Sequence, residues 1–208
     1  MKLILTRHGE TDWNRESRTQ GTTDTNLNEN GKKQAAQFAR RLLHVGESVD
    51  RIYTSPLRRA VQTAEIIGDV LGTETKEDSR LREFHFGVWE GMVFSTIGEN
   101  YPDEFDIWAR TPSRSRIEGA EPISDLYERC ASFIADMREN CGDRTALVVS
   151  HTLTTKILLL SALGLEIDLI HSIHMDNMSV SMLELYPDRT VLLCLNDVCH
   201  MQRQEEDR

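Results

Sequence analysis

Ala146-Leu147-Val148-Val149-Ser150-His151 is the segment from which the architecture can be read. Four apolar residues run without interruption and stop at a serine and a histidine, as in a strand buried on both faces of a parallel sheet. The chain opens in the same way, with Leu3-Ile4-Leu5-Thr6-Arg7-His8. The run at 2–6 is short and uncapped, which suits a second buried strand and places Arg7 and His8 at its C-terminal end. In open α/β sheets ligands bind beyond the carboxyl ends of the strands. If these two strands are neighbours, both imidazoles enter one crevice.

Helical and extended patterns alternate around these strands. Residues 28–44 place Ala35, Ala36, Phe38, Ala39, Leu42 and Leu43 at helical spacing, which predicts an amphipathic helix ending near Gly46. A strand at 51–54 precedes Ser55-Pro56. Serine as N-cap and proline at the first helical position predict a helix from there to Gly72, with Arg58 in its first turn. Residues 73–83 read as a short strand and a turn, and 84–91, rich in Gly and aromatics, as a working loop. Short helices are expected over 92–110 and a loop over 111–121, the least regular part of the chain. An amphipathic helix over 122–140, a helix over 152–163 ending at Gly164, and a hairpin of 179–186 with 190–195 complete the pattern. The tail at 202–208 has no apolar residue and is expected to fray. The alternation, without a linker or repeat, predicts one domain over 1–208: a three-layer α/β/α sandwich with a mostly parallel central sheet.

Composition narrows the function. The 208 residues are 39% hydrophobic and 28% charged, with 24 basic and 34 acidic side chains for a formal net charge of −10. Such a chain is a poor general binder of nucleic acid or anionic membranes, so any anionic substrate requires locally concentrated positive charge. The apolar run after Met1 is too short for a signal peptide or a membrane span. Cys130, Cys141, Cys194 and Cys199 form no CxxC pair. They are expected to be reduced thiols in the cytoplasm. Oligomeric state leaves no mark in the sequence.

Two facing histidines repel when protonated, and an anion between them relieves the repulsion. Arg7 stands beside the first. Arg58 is expected where free helix N–H groups and the macrodipole already favour an anion. Arg59, about 100° further round the helix, is expected to face solvent or an acidic partner. Asn14 and Gln20, in the polar loop after His8, offer neutral donors or stabilise that loop. This set suits a phosphoryl group, whose transition state spreads negative charge over three oxygens and needs chiefly positioning and charge stabilisation. No DxD, Walker lysine or HExxH pattern is present, so neither a metal nor another cofactor is expected. His171, His174 and Asp176 have partial metal-ligand spacing but lack further ligands. Arg110, Arg114 and Arg116 either reach a distal anionic group of the substrate or belong to a solvated loop.

Thr6-Arg7-His8-Gly9-Glu10-Thr11, followed by Asn14, resembles the RHG signature of the histidine phosphatase superfamily, with its phosphoglycerate mutase-like fold. The resemblance continues in order through Gln20-Gly21, Asp24 with Leu27 and Gly31, Ser55-Pro56-Leu57-Arg58-Arg59-Ala60, Glu83, Gly87-Val88-Trp89-Glu90-Gly91 and Val149-Ser150-His151. It implies that His8 is phosphorylated, that Arg7, Arg58 and His151 bind the phosphoryl group, and that Asn14, Gln20 and Gly21 assist. It also implies that Glu83 protonates the leaving oxygen and later deprotonates water. The chain departs from the family at Asn26, at Thr152, where glycine is usual, and at Gly119-Ala120-Glu121-Pro122. Thr152 is therefore expected to shape the outer pocket. The modest insert at 92–121 resembles the family's phosphatases more than its longer mutases and is expected to cap the crevice. The implied activity is hydrolysis of a small phosphomonoester. A phosphoglycerate mutase and a silent phosphate-binding scaffold are the alternatives.

Overall fold

The computed structural model describes residues 1–140 and 142–201. Cys141 and the tail, for which a reduced thiol and fraying were expected, lie outside the described residues. Six strands form one sheet: Lys2–Arg7 (β1), Arg51–Thr54 (β2), Thr75–Glu77 (β3), Thr145–Ser150 (β4), Val180–Leu185 (β5) and Thr190–Asp197 (β6). Their order is β3-β2-β4-β1-β5-β6. The first four are mutually parallel, and β5 and β6 add an antiparallel hairpin at one edge. The mostly parallel sheet read from the sequence is present.

Period-two alternation along each strand divides the core into two layers. Ile4, Ile52, Leu147, Val149 and Val180 face the helices Glu29–His44 (α2) and Arg58–Leu71 (α3). Leu3, Leu5, Tyr53, Val148 and Leu183 face Ile123–Asn140 (α6) and Thr152–Leu163 (α7) on the other side. Between α3 and α6 the insert forms Phe94–Asn100 (α4) and Pro102–Arg110 (α5). A single turn at Asp12–Arg15 (α1), capped by Thr11, follows β1.

Register sets the crevice. Arg7 of β1 is opposite Ser150 of β4, and the His8 amide donates to the Ser150 carbonyl at 2.9 Å. The two histidines therefore emerge side by side, with ring centroids 5.2 Å apart.

One local expectation fails. Helix α3 starts at Arg58, not at Pro56, and Leu57 occupies the N-cap position without a side-chain cap. The Ser55 hydroxyl accepts from the Leu57 amide at 3.2 Å and lies 2.7 Å from His151 Nε2. The serine read as a helix cap belongs to the histidine pair.

Candidate active site

A cleft of about 270 Å³ opens at the carboxyl ends of β1 and β4. Arg7, His8, Asn14, Gln20, Gly21, Arg59, Glu83 and Thr152 all line it. His151, fully buried, stands against His8.

His8 Nδ1 lies 2.7 Å from the Gly9 carbonyl. A carbonyl only accepts, so Nδ1 carries the proton and Nε2 keeps its lone pair. Burial and the charges of Arg59 and Arg7 hold the His8 pKa well below its ordinary value, so the ring is neutral at neutral pH. His151 is lowered in the same way, by burial, Arg59, His8 and Arg7. Its Nδ1 is buried without a partner. A Ser55 hydroxyl donating to His151 Nε2 leaves a proton on Nδ1, where an oxyanion can accept it.

The second arginine of the site is Arg59, not Arg58. The Arg58 side chain is 67% exposed and pairs with Asp24 at 3.1 Å. Arg59 is fully buried, and its terminal nitrogens donate to the carbonyls of Thr23 at 2.8 Å and Gly21 at 2.7 Å. The buried stripe of Ala60, Thr63, Ala64 and Ile67 fixes the rotation of α3, and at about 100° per residue it turns Arg59 inward and Arg58 outward. Arg7 donates to the Met175 carbonyl at 2.9 Å. Burial pulls both Arg7 and Arg59 down to about 10, still cationic at neutral pH. The Nε of each is buried without a protein partner.

Asn14 and Gln20 both line the cleft, and their side-chain oxygens tie into the protein. Asn14 Oδ1 accepts from the Thr11 amide and from Asn177 Nδ2, and Gln20 Oε1 accepts from the Thr25 hydroxyl. With the oxygens engaged, the amide NH₂ groups remain for a ligand. Gly21 is left-handed at φ 54°, and a Cβ there would stand 2.0 Å from Glu90 Oε1. Glu90 accepts from Thr22 and Thr23 and so fastens this loop to the segment after Glu83.

Glu83 is buried at the start of α7. Its Oε1 accepts from the Phe84 and Thr154 amides and the Thr154 hydroxyl, and Oε2 accepts from the Leu153 amide alone. Oε2 thus retains the greater capacity to exchange a proton with a ligand. Arg129 of α6 donates to the carbonyls of Arg80, Arg82 and Glu83 and pairs with Glu121. It fixes the segment that carries Glu83. Arg129 and Asn177 carry no motif of their own, and Ser55 and Glu90 stand in motifs that do not reveal their supporting contacts.

Of the other candidates, His171 lines the cleft and the arginines of the insert lie elsewhere. Arg110 pairs with Asp106, and Arg116 donates to the carbonyls of Ser113 and Ser115. Neither they nor Arg114 line the cleft. His171 Nε2 contacts the Trp108 carbonyl while His174 pairs with Asp176. Among the described residues no three His, Cys, Asp or Glu side chains converge as a metal site.

A neutral imidazole, two buried guanidinium groups and a carboxyl group lining one cleft suit phosphoryl transfer without a lysine-phosphate loop. The family model for the histidine phosphatase superfamily, branch 1, matches residues 3–198. The chain belongs to that superfamily and is an enzyme of its phosphatase kind. Phosphoserine phosphatase 1 of Hydrogenobacter thermophilus is 36% identical over 201 residues, covering 97% of this chain and 94% of the relative. The structure of Bacillus stearothermophilus YhfR superposes with a TM-score of 0.88 at 31% identity, covering 97% and 99% of the two chains. A phosphoserine phosphatase from Entamoeba histolytica, solved with phosphoserine, gives 0.86 at 28% identity, with 96% and 98% covered.

Proposed function

We propose that this chain hydrolyses small phosphomonoesters through a phosphohistidine formed at Nε2 of His8. The observation that carries this reading is the meeting of a neutral imidazole lone pair with unpartnered Nε–H groups of Arg7 and Arg59. In the first step Nε2 attacks phosphorus, the ester P–O bond breaks, and Glu83 gives its proton to the leaving oxygen. The Gly9 carbonyl, accepting from Nδ1–H, stabilises the positive charge that develops on the ring. In the second step water attacks phosphorus, Glu83 takes the proton, and the N–P bond breaks. Arg7, Arg59 and His151 hold the equatorial oxygens throughout, with Asn14 and Gln20 adding neutral donors. Phe94 and Trp108 line the cleft from the insert, which supports a capping role for residues 92–121.

The test is a rapid acid-free quench after mixing with p-nitrophenyl phosphate. Wild type should yield an acid-labile phosphoprotein, and His8→Ala should yield none and release no phosphate. Normal turnover by His8→Ala overturns the reading. A metabolite panel scoring released phosphate beside isomerised ester separates hydrolysis from mutase chemistry. No described helix is long and apolar enough to cross a membrane. The unpaired Cys130, Cys194 and Cys199 support the cytoplasm as the place of action.

A further inference from the structure

Lys156 has no place in the reaction just described, yet it lines the same cleft. It lies on α7 one turn beyond Thr152, further from the strand ends that carry the histidines. Its residue is only 9% exposed, and its ammonium has no hydrogen-bond or ion-pair partner among the described residues. Arg7 and Arg59, the cations nearer the histidines, are held by backbone carbonyls. An ammonium set into an apolar-walled cleft without a counter-ion is completed by an anionic ligand. Burial accordingly lowers the Lys156 pKa, while the Glu83 carboxylate partly offsets that effect.

The surroundings narrow the ligand. Phe86, Phe94, Trp108 and Leu153 border the same cleft, so a charge pair formed there is shielded from water. His171 commits its Nε2–H to the Trp108 carbonyl. Burial and the charge of Lys156 keep that ring neutral. Arg18, the other cation bordering the outer cleft, is engaged by Glu16 and the Gly91 carbonyl. Among the described residues Lys156 thus supplies the one cation there without a protein partner, which matches a monoanion; a second phosphate group would call for several donors.

We propose that Lys156 forms a second anion subsite that binds a carboxylate on the substrate, selecting phosphomonoesters with an acidic tail. The proposal rests on the hydrolase reading above, and its test separates the two. O-phosphoserine and O-phosphoethanolamine differ only in the carboxylate. Wild type should favour O-phosphoserine at least tenfold in kcat/KM, mainly through KM. In Lys156→Met and Lys156→Gln this ratio should fall to within threefold of unity. An unchanged ratio, with both esters losing activity together, would mean that Lys156 only tunes Glu83 and would overturn the subsite. If wild type releases phosphate from no ester, the hydrolase reading fails, and calorimetric binding of the two esters to His8→Ala still decides the subsite. Equal affinities there overturn it; a preference for O-phosphoserine that Lys156→Met removes upholds it. Tighter binding of propanediol bisphosphate than of O-phosphoserine, lost in Lys156→Met, would reassign the subsite to phosphate.

Discussion

Arg58 and Arg59 have the same side chain and adjacent positions, and only one of them meets the crevice. Arg59→Ala is expected to lower kcat/KM for p-nitrophenyl phosphate by about 10²-fold or more, as loss of a preorganised donor does. Arg58→Ala removes an exposed ion pair worth roughly 0.2–1 kcal/mol and is expected to change it less than about threefold. Comparable losses in the two variants would contradict the assignment. The histidines carry a pH prediction. His8 and His151 are depressed in the fold, so below the ordinary value of 6.5 the unfolded chain takes up protons that the folded one refuses. Their contribution to stability is complete above 6.5 and is lost progressively as pH falls. The melting temperature should therefore drop between pH 7 and 5, and less steeply in His8→Asn. The acid limb of kcat/KM that reports His8 should lie below pH 6.5.

Helix α3 shows what was legible and what was not. Its existence and extent follow from Ala60, Ala64 and Ile67 at helical spacing, all buried as expected. The same stripe, continued backward through Thr63, contains Arg59, whereas Arg58 shares its side with Gln62 and Glu65. The signal that identifies Arg59 was thus in the sequence, but Ser55-Pro56 is so strong a start motif that it displaced the helix by two residues. Only the tertiary role of Ser55, at His151, resolves the conflict. The two strand-end histidines were fully legible because register follows from two similar apolar runs. Arg129 was not, because an arginine that binds carbonyls 46 to 49 residues away leaves no local pattern. Arg129→Met should release the Glu83 segment and lower kcat more than it raises KM. Gly31 offers a sharper test of packing. Alanine within a helix is ordinarily favoured over glycine by about 1 kcal/mol, but a Cβ at Gly31 would stand 2.2 Å from the Glu10 carbonyl oxygen. Gly31→Ala should therefore destabilise, lowering the melting temperature and moving the loop after His8.

Over the whole molecule, acidic net charge and an anion-binding cleft coexist because the working cations are buried or half-buried at the strand ends while the acidic surplus lies elsewhere. The parallel core and the antiparallel hairpin were both predictable from run lengths. The short helices of the insert were legible too, but its packing was not, since Trp108 takes its place against Phe84 and Phe86 of the loop at 84–91 while Phe94 packs on Phe105 within the insert. The unpartnered donors around His8 bear on how the fold melts. Folding removes them from water without giving them protein acceptors, at about 1–3 kcal/mol for each such group. An oxyanion that accepts from them restores that free energy, and at a hundred times Kd it adds about 2.7 kcal/mol to the stability of the fold. Inorganic phosphate or orthovanadate should then raise the melting temperature of the wild type by roughly 5–11 °C and that of Arg59→Ala far less. Heat resistance becomes a readout of occupancy, so candidate esters can be ranked on the inactive His8→Ala protein without a single turnover.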